Sequence, residues 1–262
     1  MKIKSCLRGI GLWVAALTLI LSPCMVRAAC EIVDTIDGGY IVSCTGTDTD
    51  GFCIGDGNDI ITVESNAEIT NPVQQFVEAI ASANAIAIDA GSGDNHVTNE
   101  NNGSIVATAD ADASPKVQTA SRATANATGI SAGDGVDDIQ NASTIASTAT
   151  SNSESGDISL TLEGNTQFQG TTTSTATATG IDAGGGNNQV INTGAIATIA
   201  TSEAEASSIN VNMGDSGGAD VRTIANAIAA GISGGDGGDE IITREGTITV
   251  NASADVNNAT PW

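Results

Sequence analysis

The sequence predicts an all-β solenoid of about five imperfect repeats that follows a signal peptide. A motif with fixed internal spacing recurs five times, and a tract of alternating small and polar residues precedes each of the later copies. A long-period repeat is typical of a solenoid, in which each unit buries its apolar side only against its neighbours. Aromatic residues are 2% of the chain and the hydrophobic total is 40%, so we expect a slender core of Ala, Ile and Val.

Each copy of the motif begins at an apolar anchor residue. Glycine follows the anchor after three and five residues, Asp or Asn after seven, and Ile or Val after nine. The anchors, which lie 36, 42, 51 and 51 residues apart, are Phe52, Ile88, Ile130, Ile181 and Ile232. The seventh-position residues are Asp59, Asn95, Asp137, Asn188 and Asp239. Intrinsic disorder is the competing interpretation of so polar a chain, but disorder does not require fixed offsets.

The tract before each corner is predicted to be a strand. In the third copy, Ala123, Ala125 and Ala127 alternate with polar residues, and a period of two means that one face points inward and the other outward. An alanine-rich helix is the rival interpretation, which β-branched residues such as Thr175 and Thr177 at alternate positions disfavour. The motif glycines then predict a corner with positive φ or close backbone approach.

A second strand is expected after each corner, with a bend at an asparagine. Asn141 and Asn192 stand at equivalent bends, where their side chains can stack into a hydrogen-bonded ladder. Strands of five or six residues with short corners predict a coil of about 20 residues, so a 51-residue unit would cover about two coils. The additional length of the longer units, at 153–170 and 207–221, predicts loops or extra strands that project from one side.

The N-terminal segment has the layout of a secretory signal peptide. Basic residues precede an apolar run at 9–21, and small residues end in a cleavage site after Ala28. A lipoprotein signal that uses Cys30 and a retained N-terminal anchor are the alternatives. The predicted organisation is a signal peptide at 1–28, a cysteine-containing cap with the first repeat at 29–78, and β-helix repeats at 79–262. We therefore expect an exported protein.

The mature chain is strongly acidic. Cleavage after Ala28 removes four of the eight basic residues and none of the 31 acidic ones, which leaves a formal net charge of −27. Such a surface repels nucleic acid and anionic lipid, so a nucleic-acid-binding function is excluded. The apolar run at 9–21 is too short for a comfortable membrane span, and we expect no span in the mature chain. An unidentified surface or matrix ligand remains as the expected partner.

Three cysteines of the mature chain lie close together near its N-terminus. They are Cys30, Cys44 and Cys53. In an oxidising compartment, an odd number predicts one disulfide and one thiol left over, and the pairing cannot be read from the sequence. A staple on the N-terminal cap is favoured over metal binding, because no CxxC spacing is present.

The corner sequences resemble the glycine- and aspartate-rich nonapeptide of repeats-in-toxin proteins. Residues 234–241 carry the resemblance most clearly, followed by 132–139 and 55–59. In that family the turns bind calcium between successive coils, which implies a calcium site whose candidate ligands are Asp56, Asp59, Asp134, Asp137, Asp236 and Asp239. The chain departs from the family because each nonapeptide is solitary, and because two copies carry Asn at the seventh position.

More broadly, residues 79–258 resemble the repetitive passenger regions of bacterial autotransporters and large surface adhesins. The shared features are the repeated pattern of alanines, glycines, Asp or Asn and Ile after a signal peptide. The resemblance implies a right-handed parallel β-helix that is secreted or displayed on the bacterial surface. It departs from the family because no translocator barrel follows the fifth copy, so we expect either a short secreted version or a piece of a longer protein.

The first functional expectation is a structural or adhesive protein without catalytic activity. A calcium-dependent module is one alternative, and a β-helical polysaccharide enzyme is another. Against the enzyme, His96 is the only histidine, and the aspartates recur at equivalent repeat positions instead of forming one singular cluster. Ice binding by a threonine array is a remote further alternative, since the array does not recur in every unit.

Overall fold

The computed structural model describes residues 30–36, 39–48, 52–54, 56–64, 67–77, 80–114, 120–161, 166–212 and 217–259. The predicted signal peptide at 1–28, Gly55 of the first corner and the domain boundary between 78 and 79 lie outside these residues. In the described part of the chain, the regular structure is all-β, as the sequence predicted.

The strands are listed here in chain order. They are β1 Cys30–Ile36, β2 Gly39–Cys44, β3 Thr47–Asp48, β4 Phe52–Cys53, β5 Ile60–Val63, β6 Glu68–Val77, β7 Ile80–Asp89, β8 His96–Asn99, β9 Ser104–Ala113, β10 Ala120–Ser131, β11 Asp138–Asn141, β12 Thr144–Thr161, β13 Thr166–Asp182, β14 Gln189–Asn192, β15 Ala195–Asn212, β16 Gly217–Ser233, β17 Glu240–Thr243 and β18 Thr247–Ala259.

Three sheets contain all of these strands. Sheet A has the order β1-β2-β5-β8-β11-β14-β17, sheet B has β18-β15-β12-β9-β6-β3, and sheet C has β16-β13-β10-β7-β4. The pairings are parallel except for β1, which lies antiparallel to β2 at one end of sheet A. The chain visits sheet C, sheet A and sheet B in turn, so each unit adds one strand to each sheet.

The register between strands equals the spacing of the sequence repeat. Within sheet C, Phe52 pairs with Ile88, Ile88 with Ile130, Ile130 with Ile181 and Ile181 with Ile232. The anchors therefore stack in one row, although successive units differ in length. A 51-residue unit passes through the three sheets once, so the prediction of about two coils in such a unit is wrong.

The longer units place their additional residues in longer strands. Strand β12 has 18 residues and β13 has 17, against 10 in β9 and 12 in β10. Among the described residues, the additional length therefore extends the strands of sheets B and C, and the predicted projecting loops or extra strands are not found there. The prediction of five- or six-residue strands was wrong because the small inward side chains of these segments let two sheets pack closely over a long distance.

Sheets B and C face each other across a thin interior. Ala85, Ala127 and Ala178 form one inward row of sheet C, and each is at most 1% exposed. Between the sheets, the hydroxyls of Ser121 and Ser153 lie 2.8 Å apart. The sequence prediction that alanine is selected for a narrow interior is confirmed.

Burial of the isoleucines requires a unit on each side. Ile196 in β15 is 1% exposed, whereas its register partner Ile248 in β18, the last strand of sheet B, is 41% exposed. The same change occurs in sheet A between Val190, which is fully buried, and Ile241, which is 45% exposed. Each unit thus covers the apolar side of the one before it.

The last residues of β8, β11 and β14 form a buried asparagine ladder in sheet A. The side-chain amide of Asn99 donates to Oδ1 of Asn141 at 2.8 Å, and that of Asn141 donates to Oδ1 of Asn192 at 2.7 Å. All three residues are at most 1% exposed. The ladder predicted from the sequence is confirmed, and it fixes the register of sheet A from within.

The N-terminal cap contains a disulfide between Cys30 and Cys44, which joins β1 to β2. Cys53 is also disulfide-bonded in the full-length chain, and the thiol left over in a mature chain that begins at Ala29 stays a prediction.

The outward-facing residues of sheet C form a regular four-by-four array, which we call the outer C face. Its members are Ile80, Ser82, Asn84 and Ile86 of β7; Arg122, Thr124, Asn126 and Thr128 of β10; Thr173, Thr175, Thr177 and Thr179 of β13; and Ile224, Asn226, Ile228 and Ala230 of β16. All of these residues are partly or fully exposed to solvent.

Candidate functional site

The candidate site is the glycine corner between each sheet C strand and the following sheet A strand. The seventh-position residue lies at the end of this corner, one residue before the sheet A strand begins. Glycine is required at the corner because successive turns stack closely. At Gly184 φ is +76°, and a Cβ there would lie 1.6 Å from the carbonyl oxygen of Gly133 in the preceding unit.

The seventh-position residues form a ladder along the stack, which we call the corner ladder. In each step, the backbone N–H of one unit donates to the side-chain Oδ1 of the next. The donor–acceptor distances are 3.1 Å from Asp59 to Asn95, 2.8 Å from Asn95 to Asp137, 2.9 Å from Asp137 to Asn188 and 2.9 Å from Asn188 to Asp239. Below the first step, the N–H of Tyr40 donates to Oδ1 of Asp59 at 2.7 Å.

The two asparagines of the corner ladder also interact with backbone carbonyls through their side-chain nitrogen. The amide of Asn95 donates to the carbonyl oxygens of Ala132 at 2.9 Å and Gly93 at 3.1 Å, and lies 3.4 Å from that of Gly91. The amide of Asn188 lies 3.4 Å from the carbonyl oxygen of Gly234. Asparagine therefore satisfies both the neighbouring backbone N–H and the carbonyl groups of the glycine turns.

The aspartate members cannot make the second set of hydrogen bonds when they are ionised. Asp59 and Asp137 are each 1% exposed, and the Oδ2 atom of each is buried without a hydrogen-bond partner. The Oδ1 atoms of Asp59 and Asp137 accept a backbone N–H just as Oδ1 of Asn95 does, each at its own step of the ladder. Their Oδ2 atoms therefore take the position that the side-chain nitrogen has in Asn95. An ionised carboxylate there would face carbonyl oxygens that repel it.

Burial raises the pKa of both aspartates. It raises the pKa of Asp137 to about 6, against the opposing effect of hydrogen bonds from Asn95, and nearby Asp94 and Asp134 raise the pKa further. Burial also raises the pKa of Asp59, opposed by the hydrogen bond from Tyr40. A protonated carboxyl can donate to a turn carbonyl, as the asparagine amide does, whereas a carboxylate needs a cation there.

The six candidate calcium ligands fall into two sets. Asp59, Asp137 and Asp239 belong to the corner ladder, and Asp239, at its end, is only partly buried. Asp56, Asp134 and Asp236 are exposed at the outside of the corner. Oδ1 of Asp56 accepts the backbone N–H of Ser92 at 3.1 Å and so serves the neighbouring turn.

The described residues contain no group of three or more His, Cys, Asp or Glu side chains that could hold a metal ion. The six aspartates therefore do not converge on one multi-carboxylate site. What each buried step offers is one carboxylate oxygen beside backbone carbonyls. The register makes Asp137 the equivalent of Asn95, so the carbonyls of Gly133, Gly135 and Ala183 are the equivalents of the three that surround the Asn95 amide.

The role of Asn95 and Asn188 was missed when only acidic residues were considered as site residues. The signal was present in the sequence, because the seventh position alternates strictly as Asp, Asn, Asp, Asn, Asp. His96 begins β8, and its Nδ1 lies 3.0 Å from Oδ2 of Asp138 on the neighbouring strand.

Replacing Asp137 with Asn should stabilise the protein at high pH. The folded-state pKa is raised from 3.8 to about 6, so the neutral acid stabilises the fold fully below about 3.8, and this contribution is lost as the pH rises through 6. We expect the D137N variant to be more stable than the wild type by about 1–2 kcal/mol at pH 8, after allowance for solvent screening, and to differ little near pH 4. Urea denaturation at both pH values measures this difference.

The matched control is Asp239→Asn, which makes the same change at the partly buried end of the ladder. It should alter stability by less than about 0.5 kcal/mol at either pH. A D137N variant that is no more stable than the wild type at pH 8 would contradict the argument.

None of the described segments is a helix that could cross a membrane. No protein-family model matches the chain, and no curated protein and no solved structure shows significant similarity to it.

Proposed function

We propose that the chain is an exported parallel β-helix with a structural or adhesive role at or outside the bacterial surface, and that it is not an enzyme. The observation that carries this proposal is the in-register stacking of units over the whole described chain. A rod built in this way presents long, regular side faces, and extended contact with another surface is a function that such faces serve well.

The distribution of chemical groups supports a role without catalysis. Several buried polar side chains, such as Asn141, Asn192 and Ser174, form hydrogen bonds between units or between sheets. The buried carboxyls of Asp59 and Asp137 recur at equivalent steps of the same ladder. Polar groups in this chain thus repeat along the stack, whereas a catalytic site needs different groups gathered at one place.

Two measurements, one of export and one of adhesion, test the proposal together. When the chain is expressed in a bacterium, mass spectrometry of the product should find Ala29 as the N-terminal residue in the medium or at the cell surface. Beads coated with the purified chain should adhere to matrix-coated or abiotic surfaces. Ala125→Asp, which places a charge in the fully buried row between Ala83 and Ala176, should abolish adhesion because it unfolds the stack.

Retention of the chain in the cytoplasm, equal adhesion of the A125D variant, or turnover of a polysaccharide would each contradict the proposal.

Calcium binding at the corner ladder is a second candidate function. It is favoured by the unpartnered Oδ2 atoms of Asp59 and Asp137, because a hard cation accepts one carboxylate oxygen together with backbone carbonyls. Asp137 and the carbonyls of Gly133, Gly135 and Ala183 would hold the ion. Bound calcium would neutralise the buried carboxylate and stabilise the corner without a proton.

Thermal unfolding at pH 7.5 with 5 mM calcium or with EDTA should separate the two ways of neutralising Asp137. If calcium binds, the melting temperature should rise by about 4 °C or more with calcium, since ligand binding to the folded state alone adds stability. The D137N variant should then lose most of this rise while remaining folded. Equal melting temperatures in calcium and EDTA would discard calcium binding and leave protonation as the remaining explanation.

A further inference from the structure

The outer C face carries no carboxylate, although the chain has 31 acidic residues. Fifteen of its sixteen members are uncharged and the other is Arg122. At the C-terminal ends of β7 and β13, Oδ1 of Asp89 and of Asp182 lies 3.3 Å from the backbone nitrogen of the following turn glycine. Asp220 of β16 belongs to sheet C as well and precedes the array, as the register partner of Gln169. Within the described residues, the outer C face is therefore a region of the surface without acidic side chains.

The outer faces of the other two sheets are acidic. On sheet B, Glu154 lies beside Glu205 and Glu203 lies beside Asp255 in register, so like charges are neighbours across strands. On sheet A, the outward positions include Asp138 and Glu240. The outer C face is therefore a surface that another acidic molecule can approach without contact between carboxylates.

The outer C face is also partly apolar. Ile80 is 69% exposed and Ile228 is 57% exposed, and both lie in the array. Thr173, Thr175, Thr177 and Thr179 add a line of methyl groups along β13. A flat sheet surface of isoleucine and threonine is suited to packing against a second sheet, with side chains interdigitating at a separation of about 10 Å.

We propose that the outer C face is a self-association surface, and that its partner is the same face of a second copy of this chain. The array covers about 19 Å by 27 Å, or roughly 500 Å², by the ordinary spacings of strands and residues. This is below the roughly 800 Å² per partner of a standard interface, so the dimer should be weak, with a Kd of about 10 µM or higher. The proposal concerns sheet C alone and does not depend on the proposed adhesive role.

Charge makes this association depend on salt in a particular direction. The two copies repel each other through the carboxylates of sheets A and B, which lie away from the contact. Added salt screens charges that are separated by more than about 10 Å while leaving the uncharged contact intact. The dimer should therefore become stronger as the salt concentration rises, whereas a dimer held by ion pairs would become weaker.

Sedimentation equilibrium of the purified chain from about 1 µM to 1 mM, in about 0.05 M and 0.5 M salt, tests the proposal. We expect a monomer–dimer equilibrium with a Kd at least threefold lower in the higher salt. The double variant Asn126→Glu with Thr175→Glu, which places carboxylates at the centre of the outer C face, should be monomeric throughout. The matched control, Thr148→Glu with Thr201→Glu on the outer face of sheet B, should dimerise like the wild type.

Far-ultraviolet circular dichroism should be the same for all three proteins, because every substitution is on an outward-facing position. A chain that stays monomeric at 1 mM in both salts would overturn the proposal. Dimerisation of the N126E/T175E variant to the same extent as the wild type would overturn it as well. Open-ended assembly in place of a dimer would also overturn it. A monomer that sediments with insoluble cellulose, and loses this binding in the N126E/T175E variant, would assign the face to a carbohydrate instead.

Discussion

The Gly184→Ala variant should lose about 4 kcal/mol of stability or more. Gly184 has a φ of +76°, which costs an alanine about 1–2 kcal/mol. The larger cost is steric, because the added Cβ would lie 1.6 Å from the carbonyl oxygen of Gly133, which belongs to the backbone of the preceding unit. A backbone atom cannot move aside as a side chain can, so two units would have to separate.

Urea denaturation of the variant, followed by far-ultraviolet circular dichroism, measures this loss as a lower midpoint. The matched control is Gly156→Ala in β12, where the nearest atom to the added Cβ is the Ser207 hydroxyl at an ordinary 3.5 Å. The control should differ from the wild type by less than about 1 kcal/mol. Equal effects of the two substitutions would show that the corner turns are not stacked as tightly as the structure has them.

The Asn141→Ala variant should lose about 3 kcal/mol. Its side chain accepts from the Asn99 amide and donates to Oδ1 of Asn192, so the substitution interrupts the buried ladder in the middle. Oδ1 of Asn192 would then be left in the interior without its donor, and an unpaired buried polar group costs about 1–3 kcal/mol beyond the lost hydrogen bond. The same denaturation experiment measures the loss.

Gln140→Ala is the control for this prediction. Gln140 is the sequence neighbour of Asn141 in β11 but points outward, and its amide donates to Oδ2 of Asp138 at 3.2 Å. The change should alter stability by less than about 0.5 kcal/mol. If Asn141→Ala proved equally mild, the asparagine ladder would contribute little to holding the units in register.

The residues that stack on one another between units were predictable, because each set lies at a fixed distance in sequence from the anchor of its motif. The anchor row of Ile88, Ile130, Ile181 and Ile232, the glycine corner and the ladder at Asn141 and Asn192 all follow from aligning the copies of the motif. The sequence also shows where a row ends: Val63 and Thr243 stand at the equivalent positions on either side of the asparagine ladder.

The length of a unit was not predictable in the same way. The assumption of short strands came from ordinary strand lengths, whereas β12 and β15 pair over 18 residues. Such long strands are tolerated because serine and alanine on the inward sides, such as Ser151, Ser153 and Ala204, let sheets B and C approach closely. That approach depends on the opposite sheet and is not encoded in any local pattern.

The candidate site was only partly predictable. The resemblance to calcium-binding turns directed attention to acidic side chains, and the structure describes Asp56, Asp134 and Asp236 as exposed. The distinction between these and the buried Asp59 and Asp137 depends on which side of the corner faces the next unit, and only the stacked structure determines that.

The distance between spin labels on Thr124 and Asn226 tests the stacking of units most directly. Both residues are paired in register with Thr175, which lies between them in sheet C, so they are two strand spacings apart. With labels on cysteines at these two outward positions, electron paramagnetic resonance should show strong dipolar broadening from a backbone separation of about 10 Å. A separation of about 19 Å, as two coils in each unit would give, or a broad distribution without a short component, would contradict the in-register stack.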